Sequence, residues 1–245
     1  MTQYLVFQLY APLASWGLEA TGEMRHSSAV PGRSALLGLL AAAVGIRRDE
    51  EQRLNAFNQH YYFAVCPRFS QQTRLRDYHT VSMPRENRKR FYATRRDELL
   101  LAPQEVGTVV TLREYYGDAY YHVAVRATPQ APLSLQALQT ALQKPHFPLY
   151  MGRKACPLSL PLFPYLATGS LAHVMAQAGQ RLPAPKDDAI APIVEASAEC
   201  YWDDPDETSI PAHEQRMCSD NPLSRKRWQF GERVCYVGTL PVEGG

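Results

Sequence analysis

An α+β protein is predicted, with a ferredoxin-like or RRM-like core, a long basic excursion, and a smaller β-rich unit towards the C-terminal end. Three observations predict it. The first 150 residues run strand, helix, strand, basic stretch, strand, strand, helix, an order compatible with two βαβ halves. Cations crowd into one segment between the second and third strands. After Tyr150 the texture changes to proline, aromatics and short strand-like runs.

Each element has its own signal. Residues 3–10, QYLVFQLY, are apolar and aromatic with few breaks, which reads as a buried strand. The loop after it carries Pro12, Gly17, Gly22, Pro31 and Gly32, all turn formers. Arg33 to Val44 is rich in Ala and Leu and reads as a tightly packed helix, with Gly45 as its C-terminal stop. RDEEQRLNAFNQH reads as a short polar helix, and YYFAVCPRF (61–69) as a strand. TVVTLREYY (108–116) and AYYHVAVRAT (119–128) read as two strands, with Gly117-Asp118 between them as a hairpin signal. LSLQALQTALQK (133–144) places apolar residues at 133, 135, 138 and 142, the spacing of an amphipathic helix. Residues 166–189 read as a loop with one short helix. APIVEASAECYW (191–202) and RKRWQFGERVCYVGTL (225–240) read as strands. The expected division is 1–150 for the core and 151–245 for the β-rich unit.

The 245 residues, 45% hydrophobic and 20% charged, are enough to bury a core and argue against global disorder. The longest apolar run, Ala35 to Ile46, falls short of the roughly 20 residues that a spanning helix needs. MTQYLVFQLYAPL has neither a basic leader nor a cleavage pattern, so no signal peptide and no membrane association are expected. Five scattered cysteines without a C-x-x-C pair argue against a disulfide framework and against zinc, and fit a reducing cytoplasm. No metal and no cofactor is expected, since there is no phosphate-binding glycine loop and no nucleophile elbow.

The net charge of +2 hides a strong polarity. Residues 68–96 hold nine cations against two acidic side chains, whereas 181–220 hold three cations against ten. Such polarity reflects different neighbours on different faces. The basic segment is mostly arginine, interleaved with Phe69, Tyr78, His79, Phe91 and Tyr92. Arginine forks suit phosphate, and aromatic rings stack on unpaired bases. The combination reads as an RNA-contact element; a solvated loop or a protein-binding arm is the alternative.

Three stretches then converge on one family: YLVFQLYAPLASWG with PGRSALLGLLAAAVGI, RLRDYHTV at 74–81, and PLYMGRKACPLSLPLF at 148–163. Together they resemble the CasD family, the fifth-family Cas (RAMP) subunits of type I-E CRISPR Cascade complexes. The likeness runs from residue 3 to about 163 and thins in the C-terminal third, where only Arg225–Trp228 looks familiar. The resemblance implies a RAMP core with a protruding thumb, here at about 82–107. It also implies a non-catalytic subunit that caps the 5′ handle of the crRNA. Its neighbours would be a CasC-type backbone subunit and a CasA-type large subunit, with target DNA met indirectly through the complex.

The residues expected to touch RNA follow from both lines. Arg33 and Ser34 open a helix, whose free N–H groups favour phosphate; equally, Gly32 permits the turn and Ser34 caps it. Trp16 is expected to pin its loop to the core rather than stack a base. In 74–81, an extended chain puts Arg76 and Tyr78 on one face, with Asp77 and His79 on the other. Arg85, Arg88, Lys89 and Arg90 form the thumb cluster, and Arg113 lies in the following strand. The strongest expectation is Tyr150, Gly152, Arg153 and Lys154: Gly152 lets an RNA backbone approach, the cations hold phosphate, and the tyrosine stacks. The sheet face of such a core is a further RNA platform. The rival reading is a metal-independent endoribonuclease drawing on His26, His79, His122 or His146, of which His122 reads as structural. A scaffold that binds only proteins is a third.

Overall fold

The computed structural model describes residues 1–20, 22–68, 73–85, 90–183 and 199–241. Strand β1 (Thr2–Ala14) is buried along most of its length on both faces, as its unbroken apolar run requires. After two short strands at Trp16–Gly17 (β2) and Met24–Arg25 (β3), and a third at Ser27–Ser28 (β4), helix α1 spans Arg33–Val44. Gly45 closes it in the left-handed conformation, φ 80°, with its N–H on the carbonyls of Ala41 and Ala42. A short helix α2 (Glu51–Asn58) leads into β5 (Tyr61–Pro67).

Strand β6 (Arg74–Pro84) leaves the body, and a turn of helix α3 (Arg95–Leu99) stands at its outer end. The chain returns as β7, a single strand of 22 residues from Val106 to Ala127. The expected hairpin at Gly117-Asp118 is therefore absent. The favoured two-residue turns need a positive φ at their first central residue; here Gly117 lacks one and only Asp118, the second, takes a positive φ, 49°. The inner half of the strand pairs with β1 from Ala14↔Tyr116 to Leu5↔Val125 and with β5 from Pro67↔Tyr121 to Tyr61↔Ala127. The outer half pairs only with β6 and, over two residues, with β3.

Helix α4 (Leu135–Gln143) is capped by the Ser134 hydroxyl, which accepts from Ala137 N–H, and it buries Leu135, Leu138 and Leu142. Strand β8 (Tyr165–Gly169) then pairs with the free side of β1. The central order is thus β5–β7–β1–β8, all antiparallel, with α1 bridging β1 to β5 and α4 bridging β7 to β8. Both helices pack on one face against Leu5, Phe7, Leu9, Tyr121, Val123 and Val125.

The other face is covered too. Helix α5 (Leu171–Arg181) lays Leu171, Val174, Met175 and Ala178 over Tyr4, Val6, Ala64 and Ala124. The expected open sheet face is therefore not available to RNA, because an amphipathic helix seals it. Strand β9 (Glu199–Trp202) pairs with β5, and β11 (Gln229–Thr239) and β10 (Ala212–Ser224) extend the same sheet. Residues 191–198 of the anticipated strand lie outside the described residues. Residues 225–228 are the turn between β10 and β11 rather than strand. Cys66, Cys156, Cys200 and Cys235 are buried thiols, and no disulfide forms among the described residues.

Candidate nucleic-acid interface

The outer half of β7 and the whole of β6 form a two-stranded arm, paired from Arg74↔Tyr116 to Pro84↔Val106. Eleven residues of strand reach roughly 35 Å at about 3.4 Å each. Side chains alternate, so the arm has two faces. One carries Arg74, Arg76 and Tyr78, whose ring is 65% exposed. The other carries Leu75, Asp77, His79, Val81 and Met83, opposite Val109, Thr111, Arg113 and Tyr115. Leu75, Val81, Met83 and Val109 are exposed, so the second face is apolar towards the tip.

Glu114 organises the arm's root. Its side chain is buried, and it accepts from Arg76 at 3.0 Å, from Arg74 at 3.2 Å and meets His26 Nδ1 at 3.2 Å. Burial pushes its carboxyl up, but hydrogen bonds from Arg76, His26 and the Ser27 N–H, with the charge of Arg74, bring it down to about 2. One carboxylate thus fixes two half-exposed arginines whose outer N–H groups still face solvent. The signal in the sequence is a lone acid in LREYY, which sequence reasoning passed over.

Beyond the root, Arg85 is exposed and its N–H donates to the Glu105 carbonyl at 2.8 Å. Arg90 is ion-paired with Glu105 and exposed. Hydrogen bonds with Tyr92 and Glu105 raise its already high pKa, so it stays cationic. Arg88 and Lys89 lie outside the described residues.

The loop at 150–157 lies against the same root. Tyr150 bridges to Pro157 and is partly exposed, and Lys154 is exposed. Arg153 sits over the Tyr115 ring, 5.0 Å from its centre, with Nη1 donating to the Tyr115 hydroxyl at 3.3 Å. Arg113, two residues before Tyr115, shares that face of β7. The structure therefore gathers Arg113, Arg153 and the Tyr150–Lys154 loop at the arm's root. Gly152 has a different reason from the expected one. Its φ is 83°, and a Cβ there would overlap the Ser15 carbonyl oxygen. The close approach that it permits is by this chain's own backbone, sealed by the Ser15 N–H donating to the Met151 carbonyl at 3.0 Å.

Arg33 and Ser34 stand apart from this cluster. Arg33 is buried, donating to the carbonyls of Tyr61 at 2.7 Å and Asn58 at 2.5 Å and to Asp203 at 2.5 Å. The anion at the start of α1 is the carboxylate of Asp220, which accepts the Arg33 N–H at 2.6 Å and is held by Arg233. A phosphate has no room where that carboxylate sits, and the guanidinium is committed to the fold. Ser34 makes no side-chain cap, and its carbonyl accepts from Arg225 at 2.7 Å. Trp16 is buried, as expected, with Nε1 donating to the Tyr121 hydroxyl at 3.2 Å.

The histidines are scattered. His122 is buried beside the Tyr120 hydroxyl at 3.1 Å; burial, then the charge of Arg68, lowers it to about 3, so it is neutral and structural. His146 packs under Gly45 against Phe147. His26 is tied to Glu114, and His79 is half-buried on the arm's other face. Among the described residues no group of His, Cys, Asp and Glu could hold a metal ion.

Fold and surface define a class: an α+β protein with a large antiparallel sheet that projects a cationic two-stranded arm beside an arginine-bearing loop. The chain belongs to the Cas5 family of CRISPR-associated proteins, whose model, described as CRISPR-associated protein (Cas_Cas5), matches residues 4–236. It is 37% identical over 253 aligned residues to the CRISPR system Cascade subunit CasD of Escherichia coli (strain K12), covering 100% of this chain and 98% of that one. A chain of a structure titled CRISPR RNA-guided surveillance complex superposes with a TM-score of 0.62 at 23% identity, over 98% of this chain and 90% of that one. A second, titled Crystal structure of Cas protein, gives 0.54 at 22%, over 97% and 95%.

Proposed function

We propose that this chain is a non-catalytic guide-RNA-binding subunit of a type I-E Cascade surveillance complex, working in the cytoplasm and capping the 5′ handle of the crRNA. In this reading β5–β7–β1–β8 with α1 and α4 is the ferredoxin-like RAMP core within 1–150 and the strand that follows. The thumb is the part of the arm at about 82–107, and 151–245 supply the smaller β-rich unit. The observation that carries it is the arm's cationic root, with Arg74 and Arg76 on one face and Arg113 on the other, beside Arg153 and the Tyr150–Lys154 loop. Cations beside exposed aromatics suit a strand of RNA with unstacked bases. The apolar outer face, Leu75, Val81, Met83 and Val109, suits a protein neighbour, here the CasC-type backbone subunit. The CasA-type subunit and target DNA are met through the assembled complex.

The test is reconstitution with the Arg153→Ala, Lys154→Ala double variant. Guide RNA retention in the purified complex is expected to fall while the variant keeps its circular-dichroism spectrum and still enters the complex; undiminished retention overturns the site. The endoribonuclease alternative rests on His26 at the root and His79 midway along the arm's other face. Incubating the chain with labelled repeat RNA in EDTA separates the two readings. Binding without cleavage supports the clamp; cleavage lost on His26→Ala or His79→Ala supports the nuclease.

A further inference from the structure

Away from the arm, the turn between β10 and β11 carries a feature that neither the fold nor the arm uses. Trp228 is 58% exposed and holds a left-handed backbone, φ 56°. Hairpin loops that end on a left-handed residue ordinarily place Gly or Asn there, because a bulky side chain crowds that conformation. Burial in the core does not compensate here, since the residue is largely exposed. Cations surround it instead. The Arg48 guanidinium lies over the ring at 4.6 Å and that of Arg225 at 5.7 Å, while Phe230 abuts it edge-on at 5.3 Å. Lys226 and Arg227 are exposed in the same turn, and Arg47 is exposed beside Arg48.

Two of the nearby acids are already engaged. Glu50 pairs with Arg53 and accepts the Arg47 N–H, and Glu51 accepts from the Ser224 hydroxyl. Among the described residues no carboxylate lies within ion-pair distance of Arg48 or Arg225. Burial, then the charge of Arg48, lowers the Arg225 pKa, as it would for a cation that lacks a counterion. Arg225 is positioned by donating to the Ser34 carbonyl. Ser34 opens the helix that Arg33 ties to Tyr61, and Tyr61 pairs with Ala127 at the end of β7 opposite the arm.

We propose that Trp228, with Arg48, Arg225, Lys226 and Arg227, is a second nucleic-acid contact that stacks an unpaired base and holds its flanking phosphates. The inference goes beyond the handle-binding arm and shares no residue with it. An exposed ring supplies the stacking surface, and guanidinium groups without a carboxylate partner supply the phosphate donors. An acidic peptide would use the cations but gain little from the strained, exposed ring.

The full chain carries its own reporter, because Trp16 and Trp202 are buried and Trp228 is exposed. Short oligouridine, the matching single-stranded DNA and poly-glutamate are titrated against the chain and against its Arg153→Ala, Lys154→Ala variant. Tryptophan emission and the anisotropy of the labelled ligand are both read. Quenching by an oligonucleotide that persists in the double variant is expected, and the stronger of RNA and DNA identifies the source. Trp228→Gly relaxes the left-handed turn and keeps the hairpin; it is expected to abolish quenching and weaken residual binding roughly tenfold, within the range of one lost base stack. Trp228→Phe is expected to restore part of that affinity. Quenching by poly-glutamate alone, or oligonucleotide affinity unchanged in Trp228→Gly, overturns the proposal. If the double variant alone loses binding, the arm reading stands and the second contact falls; if only Trp228→Gly loses it, the reverse holds.

Discussion

The backbone of Gly152 passes so close to Ser15 that a methyl group has no room there, and its φ of 83° excludes most side chains independently. Gly152→Ala is expected to destabilise the chain by at least about 2 kcal/mol, read as a lower urea midpoint at unchanged m-value. Arg33 is a sharper case. It joins α1 to the carbonyls before and within β5 and to Asp203, whose carboxyl is pushed up by burial and held back by Arg33 and Arg233. Removing one partner leaves a buried charge, so Arg33→Ala is expected to cost about 3–5 kcal/mol, in the same denaturation assay. Both residues had been expected at the RNA surface. A glycine that admits a close approach and an arginine at a helix start carry the same letters whether the neighbour is phosphate or protein. His122 adds a pH dependence. Its folded pKa, about 3, lies below its ordinary value of 6.5, so the unfolded chain binds the proton more readily. Stability is therefore full above pH 6.5 and declines as pH falls towards 3. His122→Gln is expected to flatten that slope in melting temperature against pH.

At the scale of elements, the legible ones were those whose ends carry punctuation. Helix α1 runs from the residue after Gly32 to the residue before Gly45, as its glycines imply. Helix α4 shows its apolar stripe and its Ser134 cap. The break read into β7 came from a Gly-Asp pair that forms an irregularity inside one strand. Strand β10, AHEQRMCSDNPLS, has no apolar alternation because most of it is exposed, and its ladder with β11 is interrupted by register shifts. Nothing in its letters marks it as a strand, since pairing with β11 makes it one. The arm's charge was visible, but its anchoring through Glu114 was not, because Arg74, Arg76 and His26 converge only in three dimensions. The arm therefore predicts its own salt dependence. Each single-strand phosphate contact contributes roughly 0.7 to the slope of log K against log salt. The Arg153→Ala, Lys154→Ala variant is expected to lower that slope by about 1.4, measured with handle RNA across a salt series.

At the scale of the whole molecule, one sheet carries two cores. Leu5 and Phe7 look towards α1 and α4, while Tyr4 and Val6 look towards α5 and, through Ala64 and Cys66, towards Cys200 and Trp202 of β9. The C-terminal strands thus share packing with the first strands of the chain. A single cooperative unfolding transition is expected by calorimetry, with agreement between calorimetric and van't Hoff enthalpies; two resolved transitions would show that 151–245 unfold on their own.

The length of β7 has a mechanical consequence. A strand clamped between β1 and β5 over its inner half, and held on the outer half only by β6 and, near the root, by the two residues of β3, is a cantilever. Load applied near Val106 is resisted by ladder bonds at Tyr121 and Val125, with one soft point at Gly117-Asp118. The tip's direction is therefore dictated by the body, and a neighbour that grips the tip reads the body's orientation through it.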